Sequence, residues 1–140
     1  MTQEAYPNCR FYVEIGKERQ AVFTEISGLQ VETEVMDYEE GGNNSFVHRL
    51  PVRTKVSNLI LKRGITKANE FFKWYAEIAR GTITRRHISV IMCDTTGKEL
   101  IRWNFTNAYP VKWVGPQFSA DGSAIAIETI ELAHDGMELR

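Results

Sequence analysis

The sequence predicts a mainly β protein with one α-helix. Short segments in which apolar and polar residues alternate are separated by glycine and proline along most of the chain. One segment has helical periodicity instead, and 140 residues with 43% hydrophobic and 25% charged residues are typical of a globular protein. We expect one domain spanning residues 1–140, because two cores of about 70 residues each would be only marginally stable.

Alternation in the first third of the chain predicts three strands. Residues 11–15 alternate, a turn follows at Gly16, and residues 22–26 alternate again, which indicates a β-hairpin. After this hairpin a third strand begins at Leu29 and extends to about Glu39. That length is unusual, since strands commonly have about 5–6 residues.

A long connection follows the third strand. Residues 39–45 (Glu-Glu-Gly-Gly-Asn-Asn-Ser) form the clearest loop in the chain, and alternation resumes only in a strand over residues 55–63. The sequence therefore predicts a loop from Glu40 to Thr54. Loops longer than about 12–15 residues in compact domains are usually functional or disordered.

One helix is predicted from Lys67 to Arg80. Its apolar residues recur at i, i+3, i+4 and i+7 and form a stripe suited to a core: Phe71, Trp74, Tyr75 and Ile78. Thr66 can serve as the N-cap, and Gly81 suits the left-handed residue that ends a helix.

The last third of the chain returns to strands. Residues 87–93 are apolar on both faces, which predicts a strand covered on two sides, with the helix on one of them. Two further strands are predicted at residues 101–106 and 111–113. The final strand changes phase, because Ile127 lies on one face and Ile130 on the other. We expect a bulge there, or a strand that crosses between two environments and contacts something different at each end.

Charge and cysteine content exclude several classes of function. Lysine and arginine number 17 against 18 aspartates and glutamates, so the basic excess of a specific nucleic-acid-binding protein is missing.

The N-terminus lacks the pattern of a signal peptide, and no apolar stretch predicts direct insertion into a membrane. We expect synthesis and folding in a cytoplasm. Cys93 is predicted to be a buried thiol, although a disulfide with Cys9 stays open.

The sequence contains no pattern typical of a catalytic, cofactor-binding or metal site. The histidines are widely separated, and none has a serine, cysteine or carboxylate at a known motif spacing: His48, His87 and His134. Gly41-Gly42 is not followed by the lysine and hydroxyl residues of a phosphate-binding loop. Exposed strand edges remain as the main clue, because self-pairing in a closed ring would remove them.

An ordered set of segments resembles the tube proteins of contractile phage tails and of phage-tail-like injection systems. These segments keep similar spacing over nearly the whole chain: residues 23–29, 32–38, 41–44, 50–51, 59–65, 72–74, 85–90, 103–113, 120–122 and 126–136. The resemblance implies a two-sheet β-barrel or sandwich with one flanking helix, like the tubes of type VI secretion. It further implies hexameric rings that stack around a central channel for cargo or DNA, without a cofactor.

The resemblance also implies partners and a stacking element. The expected partners are other copies of the chain, a sheath protein, the baseplate and tube-terminating proteins. The long loop is expected to reach into the adjacent ring, and its stacking residues are Glu40, Gly41, Gly42, Asn43, Asn44, Ser45, Phe46, Val47, His48, Arg49 and Leu50. If the ring closes, some of the polar side chains on these strands should face a water-filled lumen, because only one face of each strand is apolar; the candidates are Glu32, Glu34, Arg102 and Asn104.

Three other functions stay open at this point. Val52 and Val56 stand near places where the family commonly has glycine and tyrosine, so the chain is alternatively a specialised layer that starts the tube at the baseplate. A small β-barrel adaptor would need a vacant core cavity, although four large aromatic side chains suit filling one: Trp103, Phe105, Trp113 and Phe118. An enzyme would need convergent titratable groups.

Overall fold

The computed structural model describes residues 10–19, 23–38, 48–64, 69–117, 120–122 and 126–139. These residues are mostly β with one helix, which confirms the predicted class. In chain order the elements are β1 (Arg10–Ile15), β2 (Glu18–Arg19), β3 (Glu25–Ser27), β4 (Val31–Tyr38), β5 (His48–Val56), β6 (Leu59–Gly64), α1 (Glu70–Ala79), β7 (Arg86–Cys93), β8 (Glu99–Val114), β9 (Ile127–Ala133) and β10 (Gly136–Leu139).

Two sheets are joined through the long strand β8. Eight strands follow the order β2-β1-β7-β8-β9-β6-β3, with β10 added beside β8, and the path does not close on itself. The first part of β8 pairs with β7 and β10, whereas Tyr109–Val114 pairs with β9. Asn107, with φ of 53°, and a register shift between Pro110 and Lys112 mark the passage from one sheet to the other.

Strand β8 corrects two predictions. The separate strands expected at residues 101–106 and 111–113 are one strand of 16 residues. It is also the longest strand described, whereas the third strand, now β4, has eight residues. The sequence concealed this continuity because Pro110, which cannot donate a ladder hydrogen bond, looked like a break.

The core lies between the sheets and the helix. Its buried side chains come from most of the elements: Val13, Ile15, Phe23, Leu59, Leu61, Phe71, Trp74, Ile88, Val90, Phe105, Ala108, Ile130 and Leu132. Strand β7 is buried on both faces, as predicted. The helix packs mainly against β8, and its Trp74 ring also lies 4.9 Å from the guanidinium carbon of Arg86 in β7. Cys93 is a buried free thiol, as predicted, and Cys9 lies outside the described residues.

The helix matches its prediction at the C-terminal end. The Gly81 N–H donates to the Ile78 carbonyl at 3.0 Å and the Thr82 N–H to the Glu77 carbonyl at 3.0 Å, with φ of 94° at Gly81. These bonds satisfy carbonyls that the helix leaves open. The predicted start at Lys67 is too early, because left-handed Asn69 precedes the helix. Thr66, the predicted cap, lies outside the described residues.

The predicted first hairpin is wrong in its second strand. Strand β1 pairs with the two-residue β2 and with β7, whereas β3 pairs with β6. Phe23 is 2% exposed and belongs to the core, which draws this segment away from β1. The alternation of apolar and polar residues identified the strand residues in this segment. It contained no information about which strand they pair with.

The predicted loop from Glu40 to Thr54 is too long. His48–Val56 forms strand β5 and pairs with β4 over its whole length. The predicted strand over residues 55–63 is therefore divided at Ser57-Asn58 into the end of β5 and β6. Residues 40–47 of the predicted stacking loop lie outside the described residues. Pro51 and the extra residue Val52 in β5 interrupt the alternation that would have revealed the strand.

The phase change in the final strand does not come from a bulge in that strand. Strand β9 pairs with β6 without interruption, and its buried positions are Glu128, Ile130 and Leu132. No bulge divides Ile127 from Ala133; the register shift lies in its partner β8. Glu128 occupies an inward-facing position of β9 where an apolar residue would be expected. The alternation of apolar and polar residues is therefore interrupted at that position.

Candidate assembly interface

The hairpin formed by β4 and β5 is the most exposed part of the described chain. All eight residues of β4 are exposed, and each strand packs almost entirely against the other. Large apolar side chains are nevertheless concentrated here, at exposures of 42 to 54%: Val31, Val35, Met36, Tyr38, Leu50 and Val52. An exposed apolar surface of this kind marks a site of protein–protein contact.

The hairpin leaves the body through a tightly packed junction. Gly28 has φ of 93°, and a Cβ atom there would lie 2.0 Å from the Asn58 carbonyl oxygen. On the other strand, the His134 Nε2 atom lies 2.8 Å from the Ser57 carbonyl oxygen, and the Asn58 amide donates to Glu131 at 3.0 Å. These contacts fix where the hairpin departs, so its exposure results from defined geometry at its base.

The strands leave edges open for pairing. Within the described chain, β2 and β3 end the two sides of the larger sheet, and β4 and β5 pair only with each other. An open edge presents N–H and carbonyl groups that another chain can bind. Pairing in a closed ring satisfies them without unlimited growth in the plane of the ring.

The four predicted lumen residues lie in two different sheets. Glu32 and Glu34 are exposed on the hairpin, whereas Arg102 and Asn104 are partly buried on β8. The structure therefore does not bring them together within one chain. Whether all of them reach one lumen in an assembly stays a prediction.

Arg102 and Asn104 belong to a polar patch on the larger sheet. Arg102 donates to Glu14 at 2.9 Å and to Glu99 at 2.5 Å, and these carboxylates, Glu14 first, raise the pKa of Arg102 above its ordinary value. Beside them, the Ser89 hydroxyl donates to Asn104 at 2.7 Å. The patch therefore presents paired charges on this sheet face.

A buried ionic network, which the sequence did not predict, ties three adjacent strands of the larger sheet to the helix. The Arg63 Nε atom donates to Glu128 at 2.9 Å, and both side chains are at most 1% exposed. The Trp113 indole donates to the second oxygen of Glu128 at 3.1 Å. Arg63 also pairs with Glu70 of the helix at 2.5 Å and stacks on Phe71, with its Cζ atom 3.9 Å from the ring centroid. This network joins β6, β9, β8 and α1.

The described residues offer little for catalysis or ligand binding. His87, Ser89 and Asn104 meet, but the Ser89 hydroxyl is buried and its short bond goes to Asn104 rather than to the imidazole, which is 3.3 Å away. The search of the described residues found no cluster of side chains able to hold a metal. A depression of about 490 Å³ beside β3 and β9 is open and lined partly by polar side chains, including Glu25 and Lys62.

Comparison with known proteins identifies the family to which this arrangement belongs. The family model described as T4-like virus tail tube protein gp19 matches residues 7–138. The chain belongs to that family. The prediction of a tail tube protein, made from the ordered segments of the sequence, is thereby confirmed. None of the curated proteins compared with the sequence matches it significantly.

Solved structures of contractile injection systems contain chains similar to this tail tube protein. A chain in the sheath/tube terminator of the extracellular contractile injection system PVC has 26% identity and a TM-score of 0.89, over 100% of this chain and 99% of that one. A chain in the tube-terminating cap of the anti-feeding prophage has 27% identity and a TM-score of 0.88, over 100% and 93%.

A more distant solved structure shares the fold. Hcp1 from Flavobacterium johnsoniae has 16% identity and a TM-score of 0.59, over 93% of this chain and 94% of that one, which shows a common fold alone. The predicted fold of the phage tail tube and type VI secretion kind is confirmed. Among the described residues, no helix is long and apolar enough to cross a membrane.

Proposed function

We propose that this tail tube protein is the repeating subunit of the inner tube of a contractile injection system or phage tail. Copies form hexameric rings, and the rings stack around a central channel through which cargo or DNA passes. The observation that carries the proposal is the exposed β4–β5 hairpin, whose apolar side chains have no cover within the described chain. Contact with further copies removes that surface from water.

The body of the subunit is rigidly packed, as a tube that transmits force requires. The network around Arg63 and Glu128 ties strands β6, β9 and β8 to the helix, and a core of large side chains lies beneath it. Tight packing transmits a push with little deformation. The role is structural rather than catalytic, within one tail-tube domain spanning residues 1–140.

The proposed partners follow from the solved relatives. Chains similar to this one occur in the PVC sheath–tube complex and in the tube-terminating cap and baseplate of the anti-feeding prophage. By analogy, a sheath protein surrounds this tube and contracts around it, and baseplate and terminating proteins occupy its ends. Synthesis and assembly take place in the cytoplasm, without specific binding of nucleic acid and without direct membrane insertion.

Electron microscopy of the purified chain tests this proposal. Concentrated protein is expected to form six-fold rings and stacked tubes, with ring formation and stacking both dependent on protein concentration. A chain that sediments as a monomer at every concentration and shows no rings would overturn it.

One observation favours a second candidate, a layer that starts the tube at the baseplate. Val52, near a place where the family commonly has glycine, is 54% exposed at an irregular position of the hairpin. A starting layer needs different contacts on its two sides. It would form single rings in isolation and stack only on one side when mixed with a main tube protein.

A further inference from the structure

The connection between the helix and β7 is exposed and strongly basic. Residues 80–85 join α1 to β7, and all of them except Thr84 are exposed, as is the first residue of β7. No acidic residue occurs anywhere from Ile78 to Cys93, in a chain whose overall net charge is −1. Three cationic side chains dominate this segment, which we call the basic connection (residues 80–86): Arg80, Arg85 and Arg86.

Aromatic rings hold two of these arginines in place. The Arg86 Cζ atom lies 4.9 Å from the centroid of the Trp74 ring, and the Arg85 Cζ atom lies 5.3 Å from that of Tyr109. The Trp74 indole also donates to the Thr84 carbonyl at 2.9 Å, which fixes the backbone immediately before Arg85. A guanidinium that rests on a ring has already lost rotamer freedom, so less entropy is lost when its N–H groups bind an acceptor.

The arginines of the basic connection have no anionic partner in the described part of the chain. Neither Arg80, Arg85 nor Arg86 forms an ion pair with a carboxylate there. Four other arginines of the described chain do form such pairs: Arg49, Arg53, Arg63 and Arg102. A guanidinium is always charged and carries five N–H donors, two of which a carboxylate can accept at once. The basic connection therefore offers oriented donors to an anionic group of another molecule.

An exposed apolar side chain shows what kind of molecule fits. Ile83 is 59% exposed and precedes Thr84, whose carbonyl is held by the helix. Contact with another protein would remove this side chain from water, whereas contacts with a nucleic-acid backbone are ionic and polar. The basic region is also local, because the nearby Arg102 is already paired with two carboxylates. These features favour an acidic protein segment over a nucleic acid.

We propose that the basic connection is a docking site for an acidic segment of a different protein. Carboxylates of that segment accept hydrogen bonds from Arg85 and Arg86, and an apolar side chain beside them packs on Ile83. Arg80, at the end of the helix, adds attraction without a defined contact. The surface is complete on a single subunit, so this inference does not rest on ring formation.

A further copy of this chain is less suited as the acidic partner. The exposed β4–β5 hairpin carries three carboxylates, and those of Glu34 and Asp37 are already paired with cations of β5. Binding the basic connection would break these pairs. A protein with unpaired carboxylates incurs no such loss.

Fluorescence anisotropy with a short labelled peptide tests the proposal. The peptide is rich in glutamate and contains one leucine, and the full chain is used at concentrations below assembly. Arg85→Gln/Arg86→Gln should weaken binding about tenfold or more, because two charge-assisted contacts are lost. Arg85→Lys/Arg86→Lys keeps the charge but loses the planar fork, so it should restore only part of the affinity.

Two further variants separate the site from general attraction between charges. Ile83→Ser should weaken binding about threefold, because the apolar contact is lost while every charge stays. The control Lys98→Gln/Lys112→Gln removes two exposed cations elsewhere on the chain and should change the affinity less than about twofold. Circular dichroism of each variant should match the unaltered protein. Ile83→Ser keeps the test valid if loss of the ring contacts unfolds the arginine variants.

Several results would overturn the proposal. These are failure of the unaltered chain to bind the peptide, equal binding of a peptide with glutamine in place of glutamate, and equal losses in the lysine control and the arginine variant. Tighter binding of duplex DNA, dependent on the same arginines, would show a nucleic-acid partner instead. Loss of tubes in Arg85→Gln/Arg86→Gln would show that the basic connection contacts other copies. Tube formation by the unaltered chain leaves the proposed function standing in each case.

Discussion

Replacing Arg63 by methionine should strongly destabilise the subunit, and a second substitution should partly reverse the loss. Arg63→Met leaves the Glu128 carboxylate, which is fully buried, without its cationic partner. Removing one member of a buried ion pair costs about 3–5 kcal/mol, because the remaining charge has lost its water and its partner. Arg63→Met/Glu128→Gln removes the orphaned charge and keeps an acceptor for the Trp113 indole.

The double variant should therefore be more stable than Arg63→Met alone, by at least about 1.4 kcal/mol, a factor of ten in the folding equilibrium. Urea unfolding at concentrations below assembly, followed by tryptophan fluorescence, measures both values. Lys62→Met is the matched control, since Lys62 is the preceding residue of β6 and pairs at 3.4 Å with the exposed Glu25. It should cost at most about 1 kcal/mol. Equal losses for Arg63→Met and Lys62→Met, or strictly additive losses in the double variant, would refute the reasoning.

Three further predictions concern the junction, a turn and the lumen. Gly28→Ala should destabilise the chain by at least about 2 kcal/mol more than Gly97→Ala in urea unfolding, because both glycines have φ above 90° but only Gly28 meets a carbonyl oxygen. The pKa of Asp94 should lie below the ordinary aspartate value of 3.8, because the Thr96 hydroxyl and the Lys98 N–H donate to its carboxylate. The stability that the Asp94 carboxylate adds to the folded chain is then complete above pH 3.8 and is lost as the pH falls through the lowered pKa of the folded state. An NMR titration that gives a pKa of 3.8 or more would contradict this. Cysteines introduced at Glu32 or Asn104 should react in assembled tubes with a small maleimide and much less with a large polymer-linked one. The unaltered chain is the control for reaction at the native cysteines. Equal reaction with both reagents would show that the position does not face the lumen.

The sequence predicted elements better than it predicted their partners. Helical spacing placed Phe71 and Trp74 in the core, and Gly81 ended the helix as expected. The pairing of β3 with β6 could not be derived, because alternation describes which face of a strand is buried and not which strand lies beside it. The ordered resemblance supplied the family, which is information about the whole chain.

Irregular positions account for most of what was missed. Pro51 and Val52 concealed β5, so a nine-residue strand was taken for part of a loop. Glu128 made the final strand look bulged, since a buried carboxylate breaks an apolar pattern in the same way as an extra residue. A search for a cation able to neutralise Glu128 could have led to Arg63, but nothing in the sequence separates Arg63 from its neighbour Lys62.

Cryo-electron microscopy of the purified full chain at high concentration tests the central claim most directly. The account predicts six-fold rings stacked into tubes, with the β4–β5 hairpin of each subunit covered by other copies. A map in which the hairpin faces solvent on both sides, or a sample that contains only monomers, would contradict it.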